Sequence, residues 1–312
     1  MRRTCIVTTL LLSFLSGLGA ERMKIILDTD IGGDIDDAWA LAFVLAHDGF
    51  EPVGITIADG NTPARARVAC KMLYISGRNN IPVAVGRKTN SGYAYQFTWA
   101  EDFTALKPTA QSAAGFIVEK VKQFPGEITL VAVGPLENIA DALRIEPDLG
   151  KYLKRVVFMS GCIYGRADSP QPIAEWNVRA STPDSQLVYR AGLPLTIVPL
   201  DSTTHVRLSE QERDRVRRYK SPLTFGLEAL YRLWHRSPQS RMTLHDQLAI
   251  AETASPGTFF NKKETLPLVV DDQGFTKIDQ AGGQPVTVCL EPKRDEFMTY
   301  YIDQLLAQHL GQ

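Results

Sequence analysis

The chain has 312 residues, is 44% hydrophobic and 22% charged, and carries a formal net charge of -1. That is enough apolar material for one large core or two small ones. It lacks the basic surplus with which a protein neutralises many phosphates or an anionic membrane, so nucleic acid and membrane surfaces are excluded as main partners and a small polar substrate fits better.

In chain order, Arg2 and Arg3 precede an apolar run at 5–15 and a small-residue stretch ending at Ala20. This is the layout of a secretory signal peptide over 1–20, with cleavage after Ala20 and export to the periplasm or the medium; Met23 as the true start is the bland alternative. The apolar run is short for a membrane span, and no span is expected once the leader is removed. Residues 21–312 then form the catalytic domain. Cys70, Cys162 and Cys289 remain, too few and too widely spaced for a disulfide framework or a paired-cysteine metal site, and they read as small buried apolar residues.

From Met23 onward, short runs rich in β-branched residues predict strands at 24–27, 52–57, 82–85, 128–133, 156–159 and 195–198. Segments of helical period at 37–47, 63–75, 113–124, 136–145 and 184–191 lie between them. The alternation predicts an α/β fold with a mostly parallel central sheet flanked by helices, a Rossmann-like open sheet with right-handed crossovers. Residues 209–230 read as charged and helical, 237–240 as a mobile loop, and 244–253 as another helix. The apolar runs of 266–290 are split by Asp271-Asp272-Gln273-Gly274 and by Gly282-Gly283, which read as hairpin turns at a sheet edge. A last helix at 294–309 closes a single domain.

The segment Asp28-Thr29-Asp30-Ile31-Gly32-Gly33-Asp34-Ile35-Asp36-Asp37 sits between the first strand and its helix, where open α/β sheets bind ligands. Five aspartates so close together repel one another unless a cation lies among them, and oxygen-only ligands favour calcium or magnesium. Helix capping accounts for one or two of them. An EF-hand is ruled out by the strand before the segment and by Trp39 at the position of the bidentate glutamate. A phosphate cradle at Gly32-Gly33 is opposed by the surrounding carboxylates.

This aspartate-rich segment resembles the signature of the inosine-uridine-preferring nucleoside hydrolases. Four more segments match in order: Ala58-Asp59-Gly60-Asn61, Val133-Gly134-Pro135-Leu136-Glu137-Asn138-Ile139, Ala174-Glu175-Trp176-Asn177-Val178 and Leu244-His245-Asp246-Gln247-Leu248-Ala249. The resemblance implies one calcium ion held by Asp30, Asp37, the Val133 carbonyl and Asp246. It implies ribose contacts from Asp36, Asn61, Glu175 and Asn177, and His245 near the departing base. Taken alone, Asn177 is equally a helix cap, Trp176 a core residue and His245-Asp246 a helix start.

The implied chemistry is hydrolysis of the N-glycosidic bond of a ribonucleoside to free base and ribose. Surrounding carboxylates stabilise positive charge on the sugar, and Asp30 acts as general base toward a water polarised by the cation. Two departures stand out. The signature has two more residues between Asp30 and the Asp36-Asp37 pair than the best-known members, with Ile31 in place of their proline, and 165–170 lacks the asparagine expected upstream of Glu175. Contacts to the 5′ end of the sugar are therefore open. So are an exported hydrolase of another N-ribosyl or sugar substrate and a calcium-dependent binding protein without turnover. A phosphatase using Asp28-Thr29-Asp30 is opposed by the glycines that follow. Tyr231, Trp234 and His235 are the aromatic candidates for base recognition, with the core reading of equal weight for Tyr231 and Trp234. Assembly as a homo-oligomer, dimer or tetramer, stays open.

Overall fold

The computed structural model describes residues 22–237 and 240–308. The leader read at 1–20, Pro238 and Gln239 of the predicted mobile loop, and the end of the predicted last helix at His309 lie outside the described residues.

The first half runs β1 (Met23–Thr29), α1 (Asp36–Ala46), β2 (Phe50–Ile57), α2 (Thr62–Ile75) and β3 (Val83–Val85). A 3-10 helix at Tyr95–Ala100 and α3 (Ala113–Gln123) lead back to β4 (Thr129–Ala132), followed by α4 (Glu137–Ile145), β5 (Arg155–Met159), α5 (Trp176–Arg179), α6 (Thr182–Arg190) and β6 (Leu195–Val198). Then come α7 (Leu200–Thr203), α8 (Glu210–Arg218), α9 (Pro222–Trp234), α10 (His245–Ala254), β7 (Phe260–Val270), β8 (Thr276–Ile278), β9 (Gln284–Pro292) and α11 (Arg294–Ala307).

The strands form one sheet in the order β3-β2-β1-β4-β5-β6-β9-β7-β8. All neighbouring pairs from β3 to β9 are parallel, and β7 runs antiparallel to both β9 and β8. The central strands are buried on both faces, as parallel strands covered by helices must be. Alternation along β1 sorts the cores: Ile25 and Leu27 face the side packed by α1, α2, α10 and α11, and Ile26 faces the side packed by α3, α4 and α6. Helix α1 is buried all round, so its run of Ala, Leu, Phe and Trp has no polar face to display.

The structure refines one predicted feature and corrects another. The stretch read as charged and helical over 209–230 is helical and divides into two helices, because Lys220 takes φ +55° and Ser221 starts a new capping box before Pro222. The second predicted hairpin, at Gly282-Gly283, does not join neighbours: β8 pairs with β7 alone, and the chain crosses over to place β9 on the other side of β7. Because β9 also pairs with β6, the C-terminal strands extend the main sheet, and the turn at Asp271–Gly274 joins β7 and β8 as the expected hairpin at its edge. Cys70, Cys162 and Cys289 are buried and free, as expected.

Helix α10, which carries His245 and Asp246, is tied down at its far end. The carboxylate of Glu252 is fully buried and accepts from Arg155 of β5, from Lys263 of β7 at 2.6 Å and from the Gly257 N–H at 2.7 Å. Removing one partner of such a cluster strands the others, so Glu252→Ala is expected to cost about 3–5 kcal/mol of stability. Urea denaturation of parent and variant measures it, and a loss below ~1 kcal/mol would show that the cluster does not anchor the helix.

Candidate active site

The strand order reverses between β1 and β4, and the residues beyond their C-terminal ends build a cavity of about 480 Å³. Its lining includes Asp30, Asp34, Asp36, Asp37, Val133, Glu175, Asn177, His245 and Asp246. Residues far apart in sequence meet there because each follows a strand or opens a helix pointing at the same edge of the sheet.

The aspartate loop leaves β1 through Thr29, whose hydroxyl donates to Asp37 Oδ1 at 2.5 Å and accepts from the Ile31 N–H at 3.1 Å. Gly32 has φ +101°, and a Cβ there would come within 2.8 Å of the Phe97 ring, so this turn needs glycine. Gln96 donates to the carbonyls of Gly33 at 3.0 Å and Asp34 at 2.9 Å, which braces the longer loop against the 3-10 helix. At the end of β4, a Cβ on Gly134 would lie 2.8 Å from the Asp30 nitrogen. Only a bare backbone allows that approach.

Asp36 and Asp37 open α1, and Asp246 lies in the first turn of α10; a carboxylate oxygen from each lies within 4.8 Å of the others, and all three residues are buried. Gln247 holds the two helix starts together by donating to the Asp36 carbonyl at 2.7 Å. Burial first, and mutual repulsion second, push the carboxyls of Asp36 and Asp246 well above the usual range. Asp37 is raised by the same two causes, with Asp30 as the main charge. Asp246 Oδ2 is buried without a hydrogen-bond partner among the described residues. An oxygen-only cluster with an orphaned buried oxygen is what a hard divalent cation satisfies, by supplying both the missing partner and the missing charge.

Asp30 sits beside this cluster. Burial pushes its carboxyl up to about 6, opposed by the Arg65 guanidinium, whose Nη2 is 3.5 Å from Asp30 Oδ2. Glu175 caps α5 and accepts from the N–H groups of Asn177 at 2.8 Å, Gly161 at 3.1 Å and Val178 at 3.2 Å. Burial still raises it to about 7. The Asn177 amide donates to the carbonyls of Val133 at 2.9 Å and Met159 at 3.0 Å, which fixes the side chain. His245 Nδ1 is 2.7 Å from the Thr203 hydroxyl, and burial pushes the ring down to about 4, so it is neutral near pH 7.

The structure thus gathers Asp30, Asp36, Asp37, Val133, Glu175, Asn177, His245 and Asp246 into one cavity. It does not bring Asn61 into the lining. Asn61 opens α2, and Arg65 from the next turn reaches the cavity instead, held by the Asp59 carbonyl at 2.9 Å, Asp59 Oδ2 at 3.1 Å and the Ile31 carbonyl at 3.2 Å. Sequence reasoning missed Arg65; its one signal was a guanidinium among Ala64, Ala66, Val68 and Ala69 on a buried helix face. Tyr231 and His235 do not line the cavity either. They line a separate one of about 190 Å³, and Trp234 is absent from both linings. The exposed aromatic on the wall is Trp176.

The family model described as inosine-uridine preferring nucleoside hydrolase matches residues 25–299. The chain belongs to this family. The pyrimidine-specific ribonucleoside hydrolase RihA of Shewanella woodyi is 30% identical, covering 83% of this chain and 88% of its own length. The probable uridine nucleosidase 2 of Oryza sativa subsp. japonica is 30% identical, covering 81% and 80%. Among solved structures, a plant nucleoside hydrolase, PpNRh1, superposes with TM-score 0.80 at 25% identity, covering 91% of this chain and 99% of its own. The inosine-uridine preferring nucleoside hydrolase of Bacillus anthracis, at 24% identity and TM-score 0.77, shares the fold. The protein is therefore a ribonucleoside hydrolase, an N-glycosyl hydrolase of small-molecule nucleosides, with an acidic cluster suited to a metal ion.

Glu137 is one of several buried acids of this hydrolase that lie outside the cavity lining. It is 2% exposed at the start of α4 and is raised from 4.5 to about 7 by burial and then by Asp59 and Asp28, with Arg87 opposing. A folded-state pKa above the unfolded value means that stability is fully present below pH 4.5 and is lost as the pH rises through 7. Glu137→Gln is accordingly expected to stabilise the metal-free protein by ~1–3 kcal/mol at pH 8 and by little at pH 4. Melting curves at the two pH values check this; an equal shift at both would reject it.

Proposed function

We propose that the hydrolase uses calcium to cleave the N-glycosidic bond of ribonucleosides, and that uridine is the first substrate to test, since the pyrimidine-specific and uridine-cleaving relatives cover most of the chain. The observation that carries the metal reading is the buried Asp246 Oδ2, without a hydrogen-bond partner among the described residues, beside Asp36 and Asp37. Asp37 and Asp246 would hold the ion, with Asp30 and the Val133 carbonyl completing the protein's share and Asp36 in contact with the sugar. When bound, the ion would lower the pKa of the attacking water and orient the ribose hydroxyls.

The chain's own groups do the rest. Asp30 takes the proton of the attacking water, a task suited to a carboxyl raised toward neutrality. Glu175, fixed by three N–H donors, and the amide oxygen of Asn177 accept hydrogen bonds from the ribose hydroxyls. As the C–N bond lengthens, the surrounding carboxylates stabilise the positive charge on the sugar. His245, neutral and with Nδ1 engaged by Thr203, turns its other ring nitrogen to the departing base. In this reading the leader at 1–20 exports the enzyme to where nucleosides are scavenged.

The test is release of free ribose from uridine, cytidine, inosine and adenosine by residues 21–312, with calcium and with a chelator. Calcium-dependent release supports the reading. Undiminished release under chelation would sink the metal assignment, and no release from any of the four would sink the activity.

A further inference from the structure

Two guanidinium groups line the cavity, and they are engaged differently. Arg65 is 8% exposed and bound to Asp59, Asp30 and the Ile31 carbonyl. Arg179 is exposed, and no carboxylate among the described residues lies within ion-pair distance of it. Its guanidinium instead sits 5.5 Å from the ring centroid of Trp176, which is 53% exposed on the same wall.

The backbone of Arg179 is nevertheless fixed. Its N–H donates to the Glu175 carbonyl at 2.8 Å, and its carbonyl accepts from the Thr182 hydroxyl at 3.4 Å. The turn between β7 and β8 lies against its Cα and Cβ at Gly274. A cation on an anchored backbone, with no carboxylate partner among the described residues and an aromatic plate beside it, lines a cavity whose carboxylates it does not pair with. A neutral nucleoside would leave that head unused, whereas a carboxylate or phosphate matches the two-pronged donors of a guanidinium.

We propose that the cavity accepts ribonucleosides carrying an anionic substituent, a 5′-phosphate on the sugar or a carboxylate on the base, which Arg179 binds beside Trp176. This rests on the nucleoside-hydrolase reading and narrows its substrate class. The reaction is unchanged: water adds at the anomeric carbon, the C–N bond breaks and the base leaves with a proton.

The experiment compares uridine, uridine 5′-monophosphate and orotidine as substrates of the calcium-loaded parent, Arg179→Met and Arg179→Lys. At least one anionic substrate should reach the kcat/KM of uridine in the parent. Arg179→Met should lower the ratio of that substrate to uridine by about 10- to 100-fold, mainly through KM, and Arg179→Lys should restore part of it. The phosphate and carboxylate arms identify which end of the substrate meets the guanidinium. Discrimination against both anions by more than about tenfold in the parent, or a ratio unchanged in Arg179→Met, overturns the proposal. Should no substrate turn over, the hydrolase reading fails separately, and calorimetry with uridine 5′-monophosphate and orotidine still decides: weaker binding of either to Arg179→Met supports the anion site, and equal or absent binding of both overturns it.

Discussion

Replacing Asp30 by asparagine is expected to lower kcat for uridine by about 10²- to 10⁴-fold, the usual contribution of a well-placed general base. The fold should survive. Asparagine has nearly the same shape, the close approach of Gly134 to the Asp30 backbone is untouched, and Arg65 keeps Asp59 at 3.1 Å. Single-turnover rates at saturating calcium, with melting temperatures alongside, separate the loss of the base from the loss of structure. A variant within about tenfold of the parent would remove Asp30 from proton transfer.

Asp246→Asn should act in opposite directions on the two forms of the protein. In the metal-free state, burial and the repulsion of Asp36 and Asp37 work against a charge at Asp246, so a neutral side chain there relieves strain and raises the melting temperature. In calcium the parent gains stability by mass action, about 2.7 kcal/mol when the free ion stands at 100 times its dissociation constant, and the variant should gain less than half of that. Calorimetric scans with calcium and with chelator measure both effects. Equal calcium-induced shifts in parent and variant would place Asp246 outside the ion site.

These expectations draw unequally on sequence and structure. The aspartate loop was legible because five acids in ten residues are too expensive electrostatically to be ordinary surface. The Glu175-Asn177 and His245-Asp246 pairs were not legible alone, since each also reads as a routine helix start; the ordered set of segments made them candidates. Arg65 escaped notice because helical periodicity counts a charged residue as outward-facing. Here a buried guanidinium is paired with Asp59 six residues earlier, and that pairing exists only once β2 and α2 are folded. Tyr231 and His235 were candidates by residue type, yet the placement of α9 sends them to a different cavity.

Period and local chemistry determine the order of elements: β-branched runs against helical repeats, and turn residues between them, act over a few residues and are written directly in the chain. The concentration of carboxylates after β1 is local in the same sense, and so is the demand for a cation. What the folded chain alone decides is distance across the sheet. Asp246 meets Asp36 and Asp37 because α10 packs beside α1, and β9 joins β6 because the tail crosses behind β7. Such contacts between residues far apart in sequence depend on how whole elements pack, and no window of the sequence carries that information.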